Sequence, residues 1–278
     1  MRFAVVGDPI AHSKSPALHA AAYRALGMAH TYEARRTTTA ELPALIEELR
    51  RGALDGCNVT VPHKQRVLEW VDQVDAIAAR IGAANTLYRR GAQVIATNTD
   101  APALVAELRE RCPRIERAIV LGAGGAARAA IDALATLHAQ YIHIRARALG
   151  TPRGDAWLAS LRPPHTTALY PAPFAADPAI EREVDVVVQA TDLGMQREGA
   201  AGQGAIAADA IAWSALPAHA VALDLVYAPR TTPFLEAAAR RGLCAYNGLG
   251  MLARQGALAF EVWLGVRAPL YTMWATLS

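Results

Sequence analysis

A glycine-rich turn at residues 122–127, Gly-Ala-Gly-Gly-Ala-Ala, constrains the fold of this chain more than any other segment. It follows an apolar run at residues 118–121 and precedes an alanine-rich stretch at residues 126–139, which predicts a strand, a tight turn and a helix. Gly122 permits the turn and Gly124 lets the backbone approach a pyrophosphate, while the helix N-terminus offers free N–H groups to phosphate oxygens. The segment therefore predicts a dinucleotide-binding βαβ unit.

The end of the next strand is expected to select between NAD and NADP. A carboxylate at that position binds a ribose hydroxyl, whereas an arginine accepts a 2′-phosphate. The segment at residues 142–147 is Ile-His-Ile-Arg-Ala-Arg, so it offers Arg145 and Arg147 and no acid. The sequence favours NADP and leaves NAD possible. The alternative that both arginines are only solvated stays open.

Length and composition indicate a packed α/β protein with two domains. The chain has 278 residues, of which 53% are apolar and 19% charged, so it is too apolar to be disordered and exceeds the usual domain size. Apolar runs and helical patterns alternate as βαβα over residues 3–61, which predicts helices around a largely parallel sheet. Because the glycine turn belongs to a second βαβ unit, we expect a domain boundary near residues 101–117.

Lysine is rare in this chain, and its rarity singles out Lys64. Of the 28 Lys and Arg residues, 26 are arginine, and only Lys14 and Lys64 are lysines. A lysine can exchange a proton and its pKa can be tuned, whereas arginine stays charged. Lys64 and Asp100 stand in polar, turn-like segments ahead of the glycine turn, so we expect them to transfer a proton to a substrate beside a nicotinamide. The competing interpretation places Lys64 on the surface.

Short polar segments with turn-forming residues recur in the first part of the chain. Converging hydroxyl and amide groups would suit a polyhydroxylated or carboxylated small molecule. Each segment could instead be a cap or a turn, since Ser13 or Ser15 could cap a helix starting at Pro16 and Asn85 could occupy a left-handed turn. The segments are residues 12–16, 58–60, 82–86 and 97–100.

Cysteine usage and hydropathy indicate the partners and the compartment. The three cysteines are widely spaced without a metal-binding pattern, and no apolar run approaches a membrane span. The N-terminus has no signal-peptide layout, so we expect a cytoplasmic protein. We expect a small-molecule substrate, no metal, no nucleic-acid or membrane partner, and a monomer or homodimer.

Eight motifs, taken in order, resemble those of the shikimate dehydrogenase family. The resemblance implies an N-terminal α/β substrate domain, an NADP-binding Rossmann domain and a C-terminal helix that returns to the first domain. It places the substrate-binding catalytic domain at residues 1–101 and 245–278, and the Rossmann domain at residues 102–244. The motifs lie at residues 7–16, 56–64, 81–86, 98–100, 122–126, 189–195, 224–229 and 248–255.

The resemblance also implies an activity and a set of site residues. The implied reaction is the reversible NADPH-dependent reduction of 3-dehydroshikimate to shikimate, in aromatic amino acid biosynthesis, with Lys64 and Asp100 as the catalytic pair. The implied substrate-binding residues are Ser13 and Ser15 at the carboxylate, with Asn58, Thr60, Asn85, Tyr227 and Gln255. The expected cofactor-binding residues are Gly122, Gly124, Gly125, Ala126, Arg145, Arg147, Thr191, Gly248 and Met251.

Departures from the family pattern lie at the hinge and around the cofactor. Pro102 closely follows Asp100, where the family usually has glycine. Arg147 lies between two alanines instead of polar residues, which weakens the NADP argument, and Gln189 and Asp192 replace a frequent Asn and Ser or Pro.

Two alternatives follow from these departures. One is a quinate/shikimate or aminoshikimate dehydrogenase with a divergent substrate, although Ser13 and Ser15 favour shikimate over quinate. The other is a non-catalytic ligand-binding protein of the same fold. Retention of both Lys64 and Asp100 argues against that second alternative, because a protein that only binds has less need of a proton-transfer pair.

Overall fold

The computed structural model describes residues 1–195 and 203–277, in which strands and helices alternate along the chain. The predicted α/β class is confirmed. The strands are β1 (Arg2–Gly7), β2 (Thr31–Arg36), β3 (Gly56–Val59), β4 (Gln73–Val74), β5 (Thr86–Arg90), β6 (Gln93–Thr97), β7 (Arg117–Leu121), β8 (Tyr141–Arg145), β9 (Ala168–Ala172), β10 (Val186–Gln189), β11 (Val221–Asp224) and β12 (Cys244–Tyr246). The α-helices are α1 (Ser15–Ala25), α2 (Leu42–Arg50), α3 (Ala76–Ile81), α4 (Asp100–Arg111), α5 (Gly125–Thr136), α6 (Pro152–Ala159), α7 (Pro178–Glu181), α8 (Gln203–Asp209), α9 (Pro233–Arg240), α10 (Leu249–Leu264) and α11 (Leu270–Ala275). Short 3-10 helices lie at Thr39–Glu41, Arg66–Glu69 and Trp213–Ala215.

The chain divides into two compact units. The first comprises Met1–Ala103 and Gly250–Ser278, and the second comprises Leu104–Leu249. The sequence analysis expects the boundaries a few residues earlier, at 101/102 and 244/245. Among the described helices, none is both long enough and apolar enough to cross a bilayer.

The first unit contains a mixed sheet of six strands in the order β2-β1-β3-β5-β6-β4. The parallel arrangement predicted for residues 3–61 is confirmed, because β1 is parallel to both β2 and β3. Further along the chain, β5 is antiparallel to both β3 and β6. The reason is the connection between β5 and β6, which is only Gly91 and Ala92. A two-residue connection makes a hairpin, since a parallel neighbour needs a crossover of a dozen or more residues.

Apolar side chains from α2 and the sheet form the core of the first unit. Leu42, Leu45, Ile46 and Leu49 of α2 are buried in it, and they recur at the spacing of one helix face. Trp263 of α10 packs elsewhere in this unit, stacked on Phe3 with ring centroids 4.7 Å apart. Its indole Nε1 donates to the Leu87 carbonyl at 2.9 Å, which fixes α10 to β5.

The second unit contains an all-parallel sheet of six strands in the order β12-β11-β10-β7-β8-β9. The chain starts at the centre with β7, proceeds outward to β9, and returns to β10 on the other side of β7. This is the strand order of a dinucleotide-binding Rossmann sheet, and its switch point lies between β7 and β10. Ligands bind such sheets at the carboxyl ends of the strands beside that point.

Residues 150–182, for which the sequence analysis assigns no elements, contain α6, β9 and α7. Thr151 caps α6 by accepting a hydrogen bond from the Gly154 amide at 3.2 Å, and Pro152 stands in the first turn of the helix. β9 is an edge strand of the sheet and carries Pro171, which edge strands tolerate. The elements are short, so the sequence pattern does not reveal them.

Candidate active site

Lys64 and Asp100 form an ion pair in the first unit. Lys64 lies in the turn after β3, and Asp100 is the first residue of α4. The Lys64 Nζ donates to Asp100 Oδ2 at 2.6 Å, and the two side chains are 15% and 4% exposed. Asn98 positions the acid, because its Oδ1 accepts hydrogen bonds from the Asp100 and Ala101 amides at 3.0 and 3.2 Å. The sequence-predicted proton-transfer residues are therefore in direct contact in a largely buried setting.

Asn85 holds the second carboxylate oxygen of Asp100. Its Nδ2 donates to Asp100 Oδ1 at 2.8 Å and also lies 3.3 Å from Gln255 Oε1. The Asn85 Oδ1 accepts from the Thr99 amide at 2.7 Å, which fixes the orientation of the side chain. Gln255 comes from α10, so a segment remote in sequence contacts Asn85, which itself donates to Asp100.

Asn58 lies on β3 and is linked to Asn85 through Thr86. The Asn58 Nδ2 donates to the Asn85 carbonyl at 3.1 Å and to Thr86 Oγ1 at 3.0 Å. On its other side, Asn58 Oδ1 accepts from the Tyr32 hydroxyl at 2.7 Å. Sequence reasoning missed Tyr32, because one tyrosine in a mostly exposed edge strand has no motif around it. Its only signal is an aromatic ring among the charged residues of β2.

Ser13 and Ser15 stand at the start of α1, and Ser15 is buried. The Ser15 amide donates to Ser13 Oγ at 3.3 Å. The N-cap position itself is Lys14, which makes no side-chain cap, so neither serine caps this helix in the usual way. Thr60 follows β3 and is half-buried, and its amide donates to the Val6 carbonyl at 2.9 Å.

The glycine turn joins β7 to α5 in the second unit. Gly122 has a φ of 122°, and a Cβ there would lie 3.0 Å from the Ala190 carbonyl oxygen, so the loop after β10 leaves no room for a side chain. Gly124 is exposed and stands at the N-cap of α5. Gly125 and Ala126 form the first turn of that helix, whose leading amides are free to meet an anion.

Arg145 and Arg147 lie in different surroundings. Arg145 is fully buried and pairs with Glu181 through two hydrogen bonds of 2.8 and 3.1 Å, and it also donates to the Ala210 carbonyl at 2.7 Å. The expectation that Arg145 contacts the cofactor does not fit this placement, because a carboxylate already neutralises its guanidinium. Arg147 is exposed just beyond β8 and is the arginine that could meet a 2′-phosphate.

Gln189 and Asp224 end two neighbouring strands of the second unit and organise the loops that follow them. The Gln189 Oε1 accepts from the Thr191 amide at 2.5 Å and the Thr191 hydroxyl at 2.7 Å, while its Nε2 lies 3.2 Å from Asp224 Oδ1. Asp224 Oδ2 accepts from the Thr232 hydroxyl at 2.5 Å. Burial raises the pKa of Asp224 to about 7, although hydrogen bonds from Thr232 and the Val226 amide act in the opposite direction.

The remaining predicted residues lie near these loops or on α10. Tyr227 is half-buried in the loop after β11. Gly248 is buried in the second unit, and its amide donates to the Val226 carbonyl at 3.1 Å. Met251 belongs to the first unit, where it is buried on α10.

Comparisons with known proteins agree with the motif resemblance. The family profile described as the shikimate dehydrogenase substrate binding domain matches residues 5–87, and that of the shikimate 5′-dehydrogenase C-terminal domain matches residues 248–277. The shikimate dehydrogenase (NADP(+)) of Rhizobium meliloti (strain 1021) is 37% identical over 268 residues, which cover 95% of this chain and 89% of that protein.

Two solved structures share the fold over the full length of the chain. The crystal structure of shikimate 5-dehydrogenase from Thermus thermophilus in complex with NADP(H) and shikimate has a TM-score of 0.82 at 36% identity, covering 100% of this chain and 98% of that one. The ligand-free 5-ketofructose reductase of Gluconobacter sp. strain CHM43 has a TM-score of 0.84 at 27% identity, covering 100% and 97%.

Proposed function

The chain belongs to the shikimate dehydrogenase family, and from this premise we propose that it interconverts shikimate and 3-dehydroshikimate with NADP, a step of aromatic amino acid biosynthesis. Its relatives are shikimate dehydrogenases that use NADP(+), and a solved relative holds NADP(H) and shikimate. The observation that carries the proposal is the buried contact of 2.6 Å between Lys64 Nζ and Asp100 Oδ2. A pair of this kind is what a dehydrogenase needs to move the proton of an alcohol.

The glycine turn of the second unit fits a dinucleotide. Apart from its two chain neighbours, no described residue places an atom within 4 Å of the position that a Cβ on Gly124 would occupy, so there is open space beside the backbone at the helix N-terminus. When bound there, NADP accepts a hydride from the alcohol carbon and returns it in the reverse reaction. The residues we assign to its binding in the second unit are Gly122, Gly124, Gly125, Ala126, Arg147, Thr191 and Gly248. The role of Met251, which belongs to the first unit, stays a prediction from the sequence.

Polar side chains of the first unit bind and orient the substrate in this proposal. Ser13 and Ser15 bind the carboxylate through their hydroxyl groups. The ring hydroxyls meet the side chains of the network around Asp100, where hydrogen bonds fixed in advance orient a ligand at low entropic cost. The residues assigned to the ring are Asn58, Thr60, Asn85 and Gln255, all of the first unit. The role of Tyr227 stays a prediction from the sequence.

Lys64 and Asp100 act together on the reacting hydroxyl. In the oxidation direction the pair accepts the hydroxyl proton, and in reduction it returns the proton to the developing alkoxide. The Lys64 ammonium also stabilises the negative charge of that alkoxide. This electrostatic stabilisation is stronger in a largely buried site than in water. Because Lys64 Nζ and Asp100 Oδ2 are joined by one hydrogen bond of 2.6 Å, we assign the proton transfer to the pair and not to either residue alone.

A steady-state comparison tests the proposal. The purified chain is assayed for reduction of NADP and of NAD with shikimate and with quinate, and in the reverse direction with 3-dehydroshikimate and 5-ketofructose. We expect the highest kcat/KM with shikimate and NADP. The ketofructose arm is included because a 5-ketofructose reductase shares this fold.

Other outcomes of this comparison favour the alternatives. A preference for quinate or an amino analogue of shikimate would point to a divergent dehydrogenase. Binding of shikimate by calorimetry without any turnover would contradict the enzymatic proposal and point to a ligand-binding protein.

The compartment and the oligomeric state are part of the same proposal. We propose a cytoplasmic protein that is a monomer or a homodimer and has a small-molecule substrate. Cell fractionation tests the location, and analytical ultracentrifugation at micromolar concentration tests the mass of the particle. A membrane-bound fraction or a larger oligomer would contradict these expectations.

A further inference from the structure

Tyr32 contacts one of the proposed substrate-binding residues. It stands on β2, the edge strand, and reaches past β1 to Asn58 on β3, where its hydroxyl donates to Oδ1 at 2.7 Å. Burial raises the pKa of Tyr32 well above its usual range. The phenol thus contacts a residue assigned to the ring of the substrate.

The directions of these hydrogen bonds are fixed by groups that can only accept. The Asn58 Nδ2 donates to the Asn85 carbonyl, so the Asn58 Oδ1 must face Tyr32 and the phenol must be the donor. Beyond Asn58, the Thr86 hydroxyl accepts from Asn58 Nδ2 and donates to Asn85 Oδ1 at 3.0 Å.

The same direction continues to the catalytic pair. Asn85 Nδ2 donates to Asp100 Oδ1 at 2.8 Å, and a carboxylate is an acceptor only. Every link from Tyr32 to Asp100 therefore donates toward the acid. Hydrogen bonds aligned in this way strengthen one another in a buried setting. Tyr32 is the first donor of this chain.

The ring of Tyr32 is held by aromatic neighbours. His19 is fully buried and stacks on it with ring centroids 4.1 Å apart and an angle of 6° between the planes. Burial lowers the pKa of His19 to about 3, so the imidazole is uncharged and packs as an apolar plate. Trp263 lies on α10 with its ring centroid 6.1 Å from that of Tyr32. The hydroxyl of Tyr32 is thus aimed by packing.

We infer that Tyr32 is a positioning residue of the substrate site, whose hydroxyl holds the Asn58 amide in the orientation that receives a ring hydroxyl. This inference rests on the proposed function, because it takes shikimate as the ligand. It predicts that the phenolic oxygen matters for substrate affinity and not for cofactor affinity or for the proton-transfer step.

Tyr32→Phe tests the inference, and Tyr23→Phe is its matched control. Tyr23 belongs to the same aromatic cluster, and its buried hydroxyl has no hydrogen-bond partner among the residues that the structure describes. Loss of one buried hydrogen bond weakens binding by about tenfold. We expect Tyr32→Phe to raise the KM and the calorimetric Kd for shikimate about tenfold, while kcat and the KM for NADP stay within about twofold of the wild type. Tyr23→Phe is expected to leave the KM and Kd for shikimate, kcat and the KM for NADP all within about twofold of the wild type.

Three results would overturn the inference. They are an unchanged Kd for shikimate in Tyr32→Phe, an equal rise in Tyr23→Phe, and a parallel loss of kcat, NADP affinity and melting temperature that indicates general damage. Absence of turnover in the wild type would instead count against the proposed function.

A second readout needs neither ligand nor turnover. The Asn58 side-chain amide is expected to exchange its hydrogens faster in Tyr32→Phe than in the wild type or in Tyr23→Phe, as measured by NMR. Equal exchange in all three proteins would mean that Tyr32 does not hold Asn58.

Discussion

The two units of this protein organise polar groups in different ways. In the first unit, buried polar side chains bond to one another, and Asp100 accepts from both Lys64 and Asn85. In the second unit, the expected cofactor site consists of backbone amides and open space at the turn, with Arg147 exposed. The substrate side is thus organised in advance by side chains, whereas the cofactor side depends on the conformation of the backbone.

The buried carboxylates of Asp100 and Asp224 also differ in how their polar surroundings are organised. Asp100 has an ammonium at 2.6 Å, so its charge is compensated where a reaction is proposed. Asp224 is fully buried, and its carboxylate oxygens accept from a hydroxyl, an amide side chain and a backbone N–H. Burial of a charge without a cation is unfavourable, which is the cause of the raised pKa of Asp224. Asp100 stands where a reaction is proposed, and Asp224 joins strand ends to loops.

Replacing Lys64 is expected to have the largest effect. Lys64→Ala removes the proton donor and acceptor, and we expect kcat for shikimate oxidation to fall by about 10³-fold while the KM for NADP is nearly unchanged. Lys64→Arg is the matched variant, since it retains the positive charge beside Asp100 but cannot release a proton. It should fold normally and also lose turnover. Near-normal turnover in either variant would remove Lys64 from the proposed chemistry.

Asp224→Asn tests the acid whose bonding partners are all uncharged. The pKa of Asp224 is raised from 3.8 to about 7, so between these pH values the folded protein keeps a proton that the unfolded chain has lost. The stability of the wild type therefore falls as pH rises through this window, and the loss is complete above about pH 7. The free energy of unfolding is measured in denaturant for both proteins. The value for Asp224→Asn minus the value for the wild type should rise by up to about 4 kcal/mol between pH 4 and pH 7. Parallel pH profiles would mean that Asp224 is already ionised in this window.

The fold and the site are predicted most accurately from the sequence where one motif determines both the local structure and the chemistry. The glycine turn and the alternating apolar runs predict the second sheet, because a parallel strand followed by a helix leaves a strong local pattern. The hairpin of β5 and β6 escaped prediction because each strand has only five residues, and its start at Thr86 and its end at Thr97 belong to polar site segments. The role of Arg145 depends on Glu181, which lies 36 residues further along the chain, so no local pattern reveals that the guanidinium is neutralised. Tyr32 likewise becomes significant only when β1 brings β2 near β3.

Two glycine variants separate structure from cofactor binding in the second unit. Gly124 has a φ of −104° and open space around a Cβ, so Gly124→Ala should keep the melting temperature of the wild type. Because the methyl group would meet a pyrophosphate that approaches the backbone, we expect the KM for NADP to rise by about tenfold or more. The KM for shikimate should not change. An unaltered KM for NADP would place the phosphates elsewhere.

Gly122→Ala is the contrasting change at the same turn. The residue has a φ of 122° and lies close to the Ala190 backbone, so an alanine is strained whether or not a cofactor is present. We expect a lower melting temperature together with weaker NADP binding. Equal melting temperatures for Gly122→Ala and Gly124→Ala would contradict the assignment of Gly122 to folding and of Gly124 to cofactor binding.

Arg147→Ala is expected to have the smallest effect, because an exposed arginine contributes only a solvent-screened contact. If Arg147 contacts the 2′-phosphate, its loss should raise the KM for NADP about fivefold and leave the KM for NAD unchanged, since NAD lacks that group. Arg153→Ala, which removes another exposed arginine from α6, controls for the general loss of positive charge. A rise of equal size for both cofactors would assign Arg147 to a shared part of the dinucleotide. No rise at all would mean that the second unit recognises NADP without an arginine at the end of β8, since Arg145 is already neutralised by Glu181.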